Sequence, residues 1–68
     1  MTKQQAISEL LKGATITHEL FKKKEYVFMI PNNSNIFNEK LEELNIEEFW
    51  KFRNGEQWNN DWSIYKKT

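Results

Sequence analysis

The sequence predicts an α+β domain in which an N-terminal helix packs on a small antiparallel sheet of about four strands, with a second short helix before the last strand. Three observations carry this expectation. Ala6, Ile7, Leu10 and Leu11 recur at helical spacing near the start. Short β-branched or aromatic runs at residues 14–17, 26–30, 36–37 and 62–65 are separated by polar turns. Ahead of the last run, Asn45 stands where a helix cap belongs, followed by Ile46, Glu47, Glu48, Phe49 and Trp50.

Each element has its own local reason. Thr2 followed three residues later by Gln5 is a capping box, so a helix over residues 3–12 starts there and Gly13 ends it. Ile16 and Thr17 favour a short strand, and Thr17 reads as the cap of a single turn through Leu20. Lys22, Lys23 and Lys24 form a turn. Residues 26–30 are apolar at every position, which predicts a central strand with one face under the helix and the other under a further layer or subunit. Pro31 ends that strand, and Asn32, Asn33, Ser34 and Asn35 turn the chain. Ile36 and Phe37 begin another strand, whereas residues 38–44 fit either state. Asn45 caps a helix over residues 46–53 with Glu47 and Glu48 in its first turn, and Asn54-Gly55 stops it. Residues 58–61 make a polar turn before a last strand in which Trp62 and Ile64 share a face.

Composition narrows the function classes. The chain of 68 residues is a single domain, and one of this size hides only about 60% of the surface of its unfolded form. It has no cysteine and one histidine, so disulfides, thiolate sites and a closed zinc site are not expected, and no cofactor is. Oligomerisation remains as a source of stability, which predicts a homo-oligomer, dimer or tetramer. Ten basic and ten acidic residues cancel, which argues against a nucleic-acid partner. The charges are segregated, with Lys22, Lys23, Lys24, Lys66 and Lys67 set against Glu39, Glu42, Glu43, Glu47 and Glu48. No apolar run reaches membrane-spanning length or marks a signal peptide, so the expected location is the cytoplasm, the host's if the chain is phage-encoded.

Catalysis is not expected. His18 follows Thr17 and precedes Glu19 in a segment that can face solvent, with no nucleophile and orienting acid at a recognisable spacing. Glu47 and Glu48 point different ways on a helix start. With Gly13 and Gly55 the only glycines, no phosphate-cradling loop exists. Binding is the better reading. More than half of the aromatic rings lie in the C-terminal stretch as Phe49, Trp50, Phe52, Trp58, Trp62 and Tyr65, interleaved with Arg53, Asn59, Asn60 and Asp61. Trp62 reads as a core anchor, and Phe49 and Phe52 as the core side of the second helix. Trp50, Arg53 and Trp58 are the residues whose burial the fold least demands, and exposed Trp with Arg is the composition of binding hot spots.

The run Gln5-Ala6-Ile7-Ser8-Glu9-Leu10-Leu11-Lys12-Gly13-Ala14-Thr15-Ile16-Thr17-His18-Glu19-Leu20-Phe21 resembles the opening of the small phage-encoded Thoeris anti-defence sponges, which begin with a helix, a Lys-Gly stop, a short strand, a basic residue and a tryptophan. Tyr26-Val27-Phe28-Met29-Ile30-Pro31 is similar to their next strand and Asn60-Asp61-Trp62-Ser63-Ile64-Tyr65 to their terminal Asp-Trp strand. Phe21 stands where the family has tryptophan, His18 where it has arginine or another basic residue, and the segment before the last strand is shortened. The resemblance implies homo-oligomers that capture a cyclic ADP-ribose-type or other cyclic nucleotide signal at a subunit interface. Some relatives resemble inhibitors of RNA-guided nucleases, so fold alone does not choose between a small molecule and a host defence protein as partner. The binding residues expected are His18, Phe21, Trp50, Arg53, Trp58 and Asp61, acting by stoichiometric binding without turnover.

Overall fold

The computed structural model describes residues 1–66. Its elements are α1 (Lys3–Leu11), β1 (Ile16–His18), β2 (Val27–Met29), β3 (Ile36–Asn38), β4 (Glu43–Leu44), α2 (Ile46–Lys51), a 3-10 turn (Glu56–Trp58) and β5 (Trp62–Ile64). The α+β expectation holds, with five strands in the order β4-β3-β2-β1-β5 and every neighbouring pair antiparallel. β2 is the central strand. The fifth strand comes from residues 38–44, where Asn38 Oδ1 accepts from the N–H groups of Lys40 and Glu42, and Leu41 takes a positive φ of 62°. That tight asparagine turn leaves only Glu43 and Leu44 to pair with β3.

The capping box forms as the sequence predicts. Thr2 accepts from Gln5 N–H at 3.1 Å while the Gln5 side chain accepts from Thr2 N–H at 2.9 Å, and Gly13 ends the helix at φ 97°. Replacing Thr2 by Ala is expected to cost about 1 kcal/mol, read as a lower urea midpoint with unchanged slope. A midpoint equal to the parent's would mean that packing alone holds the first turn. Asn45 caps α2 through Glu48 N–H at 2.9 Å. Thr17 does not cap a turn: it lies in β1 and its hydroxyl donates to Glu25 O at 2.7 Å, tying β1 to the approach to β2.

Both helices lie over the same sheet face. Register places Ile16, His18, Trp62, Val27, Met29, Ile36 and Leu44 on that face, because Ile16 pairs with Val27, His18 with Trp62, Met29 with Ile36 and Ile36 with Leu44. Ala6 and Leu10 of α1, Phe49 of α2, Ile16, Val27, Ile36 and Trp62 form the buried cluster. Phe52 corrects the sequence reading: α2 ends at Lys51, so Phe52 is the C-cap rather than another turn of the apolar face, and it is 74% exposed. The opposite sheet face carries Thr17, Ser63, Tyr26, Phe28, Phe37 and Glu43. No helix or strand of the described residues covers it, so of the two expected covers over residues 26–30, a further layer or a subunit, the described residues supply no layer.

Candidate functional site

Most of the residues singled out from sequence converge on one place. Trp62, 2% exposed at the start of β5, has its ring 4.7 Å from His18, 5.3 Å from Trp50, 5.7 Å from Phe21 and 5.8 Å from Trp58, and its indole N–H donates to Trp58 O at 2.7 Å. Phe49 joins through Phe21 and Trp50 at 6.5 and 4.9 Å. Such tilted and edge-on pairs each add about 0.5–1.5 kcal/mol beyond the area they bury. The 3-10 turn, which residue pattern did not reveal, is what brings Trp58 back under Trp62 four residues later.

His18 does not face solvent; it is 4% exposed. Its Nδ1 accepts from Leu20 N–H at 2.9 Å, which leaves the ring proton on Nε2 to donate to Asn60 O at 2.7 Å. Both nitrogens therefore serve the backbone. Phe21 follows through the turn closed by its N–H on His18 O at 2.9 Å. Asp61, at φ 72° and exposed, contributes its carbonyl to Glu19 N–H at 3.2 Å, so what the chain uses is its backbone.

Arg53 brings a cation against three rings of this cluster. Its guanidinium lies 4.0 Å from the Phe49 ring centroid, 5.3 Å from Trp58 and 5.5 Å from Phe21, and Nη1 donates to Phe49 O at 3.2 Å. Its Nε and the Trp50 Nε1 are buried without a hydrogen-bond partner among the described residues. Burial pulls the Arg53 guanidinium below its ordinary value, with the Glu25 carboxylate acting in the opposite direction. Lys3 closes the arrangement, donating to Arg53 O at 2.9 Å with its ammonium 5.5 Å from the Trp50 ring.

Among the depressions on the surface of the described residues are two open ones. One of about 190 Å³ is lined by Leu44, Asn45, Glu48, Phe49, Phe52 and Arg53. The other, about 350 Å³, lies between the end of α1 and the β2–β3 loop, where Leu10, Leu11, Met29, Ile30 and Pro31 supply apolar walls. The smaller falls below the roughly 300 Å³ at which drug-sized ligands are usually enclosed, and it carries both a carboxylate, Glu48, and a guanidinium, Arg53, on its walls.

The feature that sequence reasoning missed is on the uncovered face. Tyr65, Tyr26, Phe28 and Phe37 form a continuous aromatic row, all four half-buried, with ring centroids at 4.5, 6.2 and 6.1 Å from one to the next. Thr17 and Ser63 stand beside it. The alternation of Tyr26 with Val27 and of Phe28 with Met29 was the available signal, because residues two apart share a face.

No group of three or more metal-binding side chains occurs among the described residues, and no helix there is long and apolar enough to cross a membrane. No family model matches the chain, and neither a curated protein nor a solved structure matches it.

Proposed function

We propose that the protein is a phage counter-defence protein that acts by stoichiometric binding, sequestering a cyclic ADP-ribose-type or other cyclic nucleotide signal at a subunit interface. The observation that carries this reading is the Tyr26–Tyr65 pair, two half-buried rings 4.5 Å apart on an uncovered sheet face beside the hydroxyls of Thr17 and Ser63. Rings so placed offer a stacking surface for a planar base, the Ser63 hydroxyl can donate to a ribose or phosphate oxygen, and the Thr17 hydroxyl, whose proton goes to Glu25 O, can accept from a ribose hydroxyl. The resemblance of the helix, central strand and terminal Asp-Trp strand to the nucleotide sponges supplies the ligand class. His18 supports a non-catalytic role, since both its nitrogens are committed to backbone partners. His18, Phe21, Trp50, Arg53 and Trp58 enter this reading as the framework behind the face, packed on the helix side of the sheet.

Dialysis against cyclic ADP-ribose isomers and cyclic dinucleotides tests it. Excess protein is expected to deplete one of them, and heating the complex to return it unchanged. At a ligand concentration 100 times the dissociation constant, the melting free energy should rise by about 2.7 kcal/mol. Tyr26→Ala and Tyr65→Ala should each weaken retention about tenfold or more, as loss of a base-stacking ring does. A cleaved product would overturn the non-enzymatic reading.

A second reading, an inhibitor of a defence effector such as an RNA-guided nuclease, is favoured by the exposed carboxylates Glu42, Glu43, Glu47 and Glu48 along β4 and the start of α2. Such an acidic edge suits a basic nucleic-acid channel. Its mark would be co-purification with the effector, abolished by Glu43→Lys with Glu47→Lys, with no nucleotide depleted.

A further inference from the structure

We propose that the uncovered sheet face pairs with the same face of a second copy of this chain, in a two-fold sandwich whose axis runs along the strands between β2 and β3. The proposed function rests on a subunit interface, and this assigns one.

Phe28 and Phe37 are direct cross-strand partners on β2 and β3, with rings stacked at 6.1 Å and an interplanar angle of 28°. An axis between those two strands lays Phe28 of each copy over Phe37 of the other, closing the most apolar part of the row at the centre of the contact. Stacked sheets sit about 10 Å apart with strands within about 30° of alignment. A standard interface buries roughly 800 Å² per partner, and the body extends 30 and 29 Å along its two longer axes.

Charge selects the same axis. In the order β4-β3-β2-β1-β5, the β1–β2 loop, where Lys22, Lys23 and Lys24 outnumber Glu19 and Glu25, and the β3–β4 turn, where Glu39 and Glu42 outnumber Lys40, leave the same end of the sheet. The loop lies one strand spacing to one side of the β2–β3 seam and the turn one spacing to the other. The two-fold therefore brings the lysines of each copy to the carboxylates of its mate, twice. An axis across the strands would instead set the lysines toward the end occupied by the β2–β3 loop, residues 30–35, which has no acidic residue of its own; the carboxylates at that end, Glu43, Glu47 and Glu48, lie on the edge strand β4 and on α2 over the opposite face. Electrostatic complementarity of this kind fixes register even where it adds little affinity. Because β5 has no counterpart under this axis, Tyr65 falls at the margin of the overlap, where a ligand can reach it and Tyr26 from the side.

Light scattering and analytical ultracentrifugation without nucleotide test the pairing separately from ligand binding. The chain is expected at twice its 8.3 kDa mass at micromolar concentration. Phe28→Ser with Phe37→Ser should return it to monomer while its helical circular dichroism persists. For a readout that leaves the sheet untouched, Lys22→Glu with Lys23→Glu should weaken self-association about tenfold, as should Glu39→Lys with Glu42→Lys. Mixing those two variants should restore a heterodimer, since both contacts then pair opposite charges again. A monomeric parent, a dimer that survives the Phe28 and Phe37 changes, or a charge-swapped mixture no tighter than its components would overturn the interface. So would a monomer whose Tyr26, Phe28 and Phe37 resonances shift only with single-stranded oligonucleotide, which would make the row a base-stacking platform. If the dimer forms as described and no nucleotide is retained, the interface stands and the sponge reading falls.

Discussion

Trp62→Ala is expected to leave the chain largely unfolded at room temperature. Trp62 is 2% exposed, touches His18, Phe21, Trp50 and Trp58, and holds Trp58 O through its indole N–H at 2.7 Å. Its backbone is tied as well, donating to Met1 O at 3.2 Å and accepting from the Met1 ammonium at 2.6 Å. Truncating a buried Trp costs about 3–5 kcal/mol, and about 0.05–0.15 kcal/mol per residue leaves a domain this small little more than that to lose. Trp62→Phe keeps a ring in the cluster but forfeits the indole bond and part of the volume, so it should fold with a lower urea midpoint. Near-ultraviolet circular dichroism and urea titration of the two variants give the comparison. Trp62→Ala melting within a few degrees of the parent would mean that the other rings close over the gap, and the cluster would then not be the organising core.

How far the sequence leads is visible in particular residues. α1, β2, β3, the Asn45 cap and β5 were legible because each is set by local chemistry: a capping box, an unbroken apolar run, an asparagine at a helix start, an alternation beginning at Trp62. β4 and the 3-10 turn were not, because two residues of strand and one turn of helix carry no period; Asn38 and the packing of Trp58 decide them. The exposure of Phe52 escaped for a related reason, since spacing predicts a face only as far as the helix runs, and α2 stops one residue earlier. The candidate site was half legible. The aromatic density was plain, but which rings face inward depends on sheet order, and the apolar character of residues 26–30 hid two different faces under one run. His18 is the sharpest case. Its neighbours Thr17 and Glu19 suggested solvent, whereas strand alternation puts it beside Ile16 on the core side, and only tertiary structure supplies the carbonyl of Asn60.

That pairing makes His18 the second position where a large loss is expected. His18→Ala removes the ring from between Trp58 and Trp62, at 4.4 and 4.7 Å, and strands two part-buried backbone groups, Leu20 N–H and Asn60 O. Each unmet bond costs about 1 kcal/mol when water reaches part of the way, and the lost packing about as much again, so the sum is about 3 kcal/mol. Two milder variants divide it. Asn at position 18 places an amide oxygen near the old Nδ1 and can keep the Leu20 bond, whereas Gln places its amide nitrogen near the old Nε2 and can keep the bond to Asn60. Both are expected to melt between Ala and the parent, with the Gln variant holding the β1–β5 end closed and the Asn variant holding the turn at residues 19–21. Amide hydrogen exchange at Leu20 separates them, protected in the Asn variant and open in the Gln variant. Equal exchange in both would show that the ring acts by volume and not by its two bonds. A His18→Ala chain that melts with the parent but no longer retains nucleotide would move His18 from the framework into the binding surface.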